Sequence, residues 1–293
     1  EPYQLIERSI IKKYRKELWT PFIVAVKRYE LVQAGDRIAV CISGGKDSML
    51  MAKLMQELQR HSDVPFELVF LVMDPGYNEI NRQKIESNAE LLHIPVTIFE
   101  SNIFAVANNT DKNPCYLCAR MRRGHLYSKA RELGCNKIAL GHHFNDVIET
   151  TVMSMFYGSQ LQAMPPKLRS RNFPGMELIR PMYCIHEDDI IAWQHHNGLE
   201  FIQCACRFTE RAAETGNDGS SSKRQASCGA RIPTLKRAFS TAFTPSALTP
   251  WSATNPAAWS TRSPTATASV ARWLSWKRRT RNDAHRAYAP GGL

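Results

Sequence analysis

The sequence predicts an α/β protein: a parallel sheet with helices on both faces. Three observations predict it. Short apolar runs alternate with stretches of helical spacing from residue 38 to residue 157, and β-α-β-α order argues for parallel strands with both faces covered. Two polar loops, "SGGKDS" at 43–48 and "GHHFND" at 141–146, each follow an apolar run, and in such folds ligands sit beyond the carboxyl ends of strands. The first loop pairs two glycines with a following helix, which is the make-up of an anion cradle.

In chain order, residues 1–30 read as helical, with Ile6, Ile10, Ile11, Tyr14 and Leu18 at helical spacing and Pro21 as a breaker. "IAVCI" at 38–42 is a buried strand. The helix 47–60 carries Leu50, Leu54 and Leu58 on one stripe. Strand 67–73, helix 79–92 and strand 95–100 follow, then helix 116–132, strand 137–140 and helix 145–157. Beyond 160 the pattern loosens. "AMPPKL" is extended because of its prolines, "HEDDIIAWQHH" is helical, and "FIQCACRF" is a short strand or loop. The expected division is an N-terminal helical segment 1–30, a nucleotide-binding α/β domain 31–160, a continuation 161–225, and a low-complexity tail 226–293.

The turn at 43–48 places Ser43, Gly44, Gly45, Lys46, Asp47 and Ser48 at a helix N-terminus, where unpaired N–H groups and a partial positive charge attract phosphate. The motif G-x-x-x-x-G-K-[ST] is absent, so this is a different phosphate loop. An ordinary glycine turn capped by Asp47 or Ser48 is the plainer alternative.

The net charge of +11 is a poor argument for nucleic acid. Residues 211–293 hold 13 Lys and Arg against 3 Asp and Glu, and the rest of the chain is close to balanced. No apolar run reaches the length of a membrane span and no signal peptide is visible, so a cytoplasmic protein is expected. The first residue is Glu1 and not Met, so an absent N-terminal piece is one expectation.

Eight cysteines in such a chain point to metal or redox chemistry. Cys41, Cys135 and Cys184 sit in apolar segments and read as buried, inert thiols. Cys115 and Cys118 form a C-x-x-C at the start of a helix bearing Arg120, Arg122 and Arg123, a setting that favours thiolate. Half a zinc site, a redox pair and part of an iron–sulfur site all fit, and Cys204 and Cys206 can complete any of them. The tail, with four tryptophans among Ser, Thr, Pro and Arg, reads as disordered or as the product of a reading-frame error.

Taken together, "SGGKDS" and "LGHHFNDVIET" resemble the PP-loop ATP pyrophosphatase superfamily, with its adenine nucleotide alpha hydrolase-like fold. "PCYLCARMRRGHLY", "FYGSQLQAMPPKL", "LIRPMYC" and "FIQCACRFTE" resemble the tRNA 2-thiocytidine synthetase (TtcA-type) family, over about residues 30–225. Many members end with C-x-x-C where this chain has C-x-C. The resemblance implies an ATP-dependent, AMP- and pyrophosphate-forming sulfurtransferase that adenylates C2 of an anticodon-loop cytidine in tRNA and replaces its oxygen with sulfur. It implies Gly44 and Gly45 at the phosphates, Ser43 and Ser48 donating to them, Lys46 offsetting charge and Asp47 holding Mg²⁺. Backbone at 72–73, ending in Met73, meets adenine, and Gly141, His142 and Asp146 close the far side, with helix capping the alternative use of Asp146. A [4Fe-4S] cluster falls to Cys115, Cys118 and Cys204, with Cys206 the rival third ligand. Arg120, Arg122 and Arg123 are candidate tRNA phosphate contacts, or else a solvated helix face. Expected partners are tRNA, a sulfur donor such as a cysteine desulfurase, no membrane, and, as an option left open, a second copy in a homodimer. The rival readings are another PP-loop tRNA-modifying enzyme, thiolating a different base or of lysidine type, and a non-catalytic zinc-stabilised RNA-binding module.

Overall fold

In the computed structural model, residues 2–101, 103, 114–158 and 162–202 are described, leaving aside the side chains at 114–119 and 157–158. The tail and both Cys204 and Cys206 lie outside these residues.

The N-terminal segment is helical but not uniform. α1 (Pro2–Arg8) runs into two wide π-helical turns, Ser9–Lys13 and Arg15–Trp19, and then α2 (Thr20–Arg28). Pro21, expected to break the helix, instead occupies the first turn of α2. A missing N–H costs little at such a position.

The sheet contains β1 (Arg37–Ile42), β2 (Glu67–Asp74), β3 (Val96–Glu100), β4 (Lys137–Ala139), β5 (Lys167–Arg169) and β6 (Glu177–Ile179). Their order is β3-β2-β1-β4-β6-β5. All neighbours are parallel except β5 and β6, which pair antiparallel at one edge. The sequence reading had foreseen the parallel part and neither β5 nor β6, whose three-residue lengths are too short for a period to show.

The remaining helices are α3 (Lys46–His61), α4 (Glu79–Leu91), α5 (Pro114–Glu132), α6 (Phe144–Gly158) and α7 (Glu187–His196). Alternation along β1 feeds two core layers. Ile38, Val40 and Ile42 pack with Phe22, Leu50, Leu54 and Trp193. Ala39 and Cys41 pack with Leu71, Tyr127 and Ile138. Successive strand residues face opposite sides, so both faces of the sheet are covered. No helix among the described residues is long and apolar enough to cross a membrane.

β1 and β4 lie side by side, with Val40 opposite Ala139. β2 and β3 extend from β1 on one side, whereas β4 opens the other. Chain direction therefore diverges between β1 and β4, and the crevice beyond their carboxyl ends is the place where such sheets bind ligands.

Candidate functional site

The loop from β1 to α3 is shaped by its first glycine. Gly44 has φ +86°, and a Cβ there would fall 2.6 Å from Ile85 Cγ1 and 2.7 Å from Ile202 Cδ1. Both the left-handed backbone and the filled space demand glycine. Gly45 is extended and stands at the N-cap of α3 without a side-chain cap, so the first N–H groups of α3 keep their capacity for an anion. Ser48 closes the loop internally. Its hydroxyl donates to the Gly45 carbonyl at 2.9 Å and accepts from the Ser43 N–H at 3.1 Å and the Ser43 hydroxyl at 3.2 Å.

The loop from β4 to α6 touches this one backbone to backbone. A Cβ on Gly141 would come within 3.2 Å of the Asp47 carbonyl carbon and of Ser48 N and Cα. Between the loops, Ser43, Asp47, Ser48, Gly141, His142 and Asp146 line a cleft of about 430 Å³. Met73, at the end of β2, and Arg122 and Arg123, from α5, line the same cleft. Arg120 is exposed and is not on its wall.

Asp47 is the under-compensated group. Its Oδ1 is buried and accepts no hydrogen bond, although Lys46 Nζ lies 3.2 Å away and donates to Oδ2 at 3.3 Å. Burial pushes the Asp47 carboxyl above its usual range, against the opposing pull of Lys46 and His143. Such an oxygen suits a cation. Among the described residues no group of three or more His, Cys, Asp or Glu is placed to hold a metal, so a divalent ion here would rely on one carboxylate with phosphate and water, the usual pattern for Mg²⁺.

Lys46, Gly44 and Gly45 do not line the cleft. The Lys46 ammonium turns to α7, where it meets Glu187 Oε1 at 3.1 Å. Burial alone would lower its pKa, but Asp47 and Glu187 outweigh that and raise it.

Asp146 makes the capping contact and stands on the cleft wall. Its Oδ2 accepts from the His143 N–H at 2.9 Å, reaching back as a helix cap, and the residue lines the cleft. His142 is pushed down to about 4, first by burial and then by Arg180, and its Nδ1 is buried without a partner. It is therefore neutral at pH 7.

Two residues escaped the sequence reading. His143 is buried, with Nε2 3.6 Å from Asp146 Oδ2 and 3.9 Å from Asp47 Oδ1. It bridges the two loops, and the doubled histidine of "GHHFND" was the available signal. Arg180 is buried beside His142, donates to the Pro165 carbonyl, and is lowered to about 10, first by burial and then by Arg123. Its segment, "LIRPMYC", was among the motifs that carry the resemblance, and that was the available signal.

Cys115 and Cys118 fall in the first turns of α5, the helix that brings Arg122 and Arg123 to the cleft. Cys41 and Cys135 are buried, and burial pushes Cys41 to about 12 and Cys135 upward, in keeping with inert thiols. Cys184 is partly buried and also raised by burial. The described chain reaches Ile202, seated on Gly44, two residues before Cys204.

A glycine-built phosphate loop at the switch point of a parallel sheet, with an under-compensated carboxylate beside it, defines a nucleotide-binding α/β protein. The chain belongs to the PP-loop domain family, which matches residues 15–207. Within that family it is similar to the tRNA-cytidine(32) 2-sulfurtransferases of Alcanivorax borkumensis (38% identity over 68% of this chain and 70% of that one) and Vibrio parahaemolyticus (39%, 61% and 61%). The corresponding protein of Neisseria meningitidis serogroup C is 38% identical, over 61% of this chain and 57% of its own. The chain thus spans between 57 and 70% of the length of these relatives. In fold it is similar to the U34-tRNA thiolase NcsA of Methanococcus maripaludis, with TM-score 0.50 and 22% identity, covering 69% of this chain and 76% of that one.

Proposed function

We propose that this protein is an ATP-dependent tRNA sulfurtransferase that adenylates C2 of an anticodon-loop cytidine and replaces its oxygen with sulfur. The observation that carries this reading is the shared cleft. One wall is the phosphate loop with Asp47, and the other is the helix that carries Cys115, Cys118, Arg122 and Arg123.

The N–H groups opening α3 take the phosphates of ATP. Asp47 would hold Mg²⁺, which would offset the phosphate charge, and Met73 and Gly141 would flank the nucleotide. The cytidine O2 attacks the α-phosphorus, the bond to the bridging oxygen breaks, and pyrophosphate leaves. AMP, a better leaving group than a carbonyl-type oxygen, is then displaced by sulfur. Arg122 and Arg123 face the cleft as contacts for RNA phosphate, and neutral His142 offers a proton-accepting nitrogen there.

Cys115 and Cys118 stand three residues apart in the first turns of α5. With Cys204 they would supply the donors for a [4Fe-4S] cluster, which would provide the sulfur-handling chemistry when bound. A cysteine desulfurase-type protein is the class of donor that fits, its persulfide sulfur being brought to the sulfide level by a two-electron thiol reductant before it displaces AMP.

Mass spectrometry of tRNA nucleosides from cells lacking the gene tests the reading, with loss of 2-thiocytidine expected. Complementation separates the halves. Asp47→Ala should abolish pyrophosphate release yet keep iron. Cys115→Ala, Cys118→Ala and Cys204→Ala should each lose iron and thiolation yet keep ATP binding. Unchanged 2-thiocytidine in the deletion strain, or anaerobically purified protein holding zinc alone, overturns the assignment.

A further inference from the structure

α7 has no role in the reaction outlined above, yet its first residue sits where three helix starts meet. The Glu187 N–H donates to Asn145 Oδ1 of α6 at 3.1 Å. Just before it, the Ile185 carbonyl accepts from the Phe144 N–H at 2.9 Å, and the His186 and Phe144 rings pack 4.7 Å apart. The Glu187 carboxylate then reaches Lys46 on α3 at 3.1 Å. One residue thus ties the loop bearing Asp47 to the loop bearing His142 and Asp146. Lys46 and Glu187 are each less than a third exposed, 23% and 32% at the side chain, so solvent screens this pair less than a surface pair.

We propose that Glu187 is a positioning residue of the ATP site: its carboxylate shares the Lys46 ammonium with Asp47, so that Asp47 keeps an under-compensated charge for the cation. The chemistry follows from sharing one ammonium between two carboxylates. With Glu187 present, the Lys46 ammonium stands 3.1 Å from Glu187 Oε1, 3.2 Å from Asp47 Oδ1 and 3.3 Å from Asp47 Oδ2, and it makes no hydrogen bond to Oδ1. Without the Glu187 charge, Lys46 pairs with Asp47 alone and competes with Mg²⁺ for its oxygens. This gives Lys46 a different role from a direct phosphate ligand, in keeping with its absence from the cleft wall.

The inference rests on the reading of the cleft as a Mg–ATP site, and titration calorimetry on the full chain tests the two separately. Glu187→Gln should raise the Mg²⁺ concentration for half-saturation at fixed ATP about tenfold. In turnover it should raise KM for Mg–ATP while kcat stays within about twofold, a split that loss of folded protein does not produce. The charge exchange Lys46→Glu with Glu187→Lys should recover most of the wild-type Mg²⁺ dependence. A Glu187→Gln protein with wild-type Mg²⁺ dependence overturns the inference alone. So does an exchanged variant no better than Lys46→Met, the result required if Lys46 holds phosphate. Wild-type protein that takes up no Mg–ATP overturns the parent reading and this one together.

Discussion

At the scale of single residues, the cleft is set by groups whose charge is mismatched to their burial. His142 illustrates the consequence. Its imidazole accepts a proton at about 4 in the folded chain, whereas an unfolded histidine does so near 6.5. Between those values the unfolded chain binds more protons, so stability falls as the pH drops from 6.5 toward 4, and this group adds no slope above 6.5. The full span amounts to about 3 kcal/mol at most, and about 2 kcal/mol by pH 5. Urea denaturation of the wild type and His142→Asn at pH 7 and pH 5 measures it. The variant should lose less stability on acidification, and equal losses would show that His142 is not the titrating group.

At the scale of elements, what the sequence revealed and what it hid have separate physical causes. β1, β2, α3 and α4 were legible because each is long enough to display a period and each ends in turn chemistry. The loop at 43–48 stood out because its paired glycines are followed at once by Lys46, Asp47 and Ser48 at a helix start, whereas glycines alone read equally well as an ordinary turn. β5 and β6 were hidden because three residues cannot show alternation, and their pairing depends on contacts such as the Arg180 N–H to the Pro166 carbonyl at 2.9 Å. Lys53 was hidden for the opposite reason. It lies on α3 fully buried, donating to Glu7, Gln56 and the Leu92 carbonyl, and only tertiary neighbours make a lysine tolerable there. Asp146 could be assigned to the nucleotide or to a cap from its position; the geometry shows the cap and places the residue on the cleft wall. Gly141 was marked for the site, but its cause is the approach of two loops. Gly141→Ala would press a methyl group onto the backbone of Asp47 and Ser48, so the loops must part by some tenths of an ångström. The expected cost is about 1–3 kcal/mol of stability with at least a tenfold loss of Mg–ATP affinity. Gly124 on α5 meets nothing within 4 Å of its added Cβ, and Gly124→Ala should instead gain up to about 1 kcal/mol. Equal effects at the two positions, read by thermal unfolding and calorimetry, would refute the loop-contact argument.

At the scale of the whole molecule, the family match and the basic excess occupy different parts of the chain. The match ends at residue 207, and residues 211–293 carry a net charge of +10 out of the +11 total. Function read from global charge would therefore rest on the part of the chain that shares least with its relatives. We propose that this part departs from the family through a shift of reading frame. A frame change alters composition abruptly and abolishes hydrophobic period, and residues 240–270 show Ser, Thr, Ala and Pro with scattered tryptophan and no period of 2 or 3.6. Translating the gene in its two other frames past codon 225 should restore a segment with helical or strand period and similarity to the ends of the longer relatives. Sequencing the locus and the intact mass of the purified protein together decide it. If neither frame restores such a segment and the mass matches the sequence given, the tail is genuine. Its +10 charge then predicts tRNA binding whose affinity falls steeply with salt, a slope that removal of residues 226–293 should reduce.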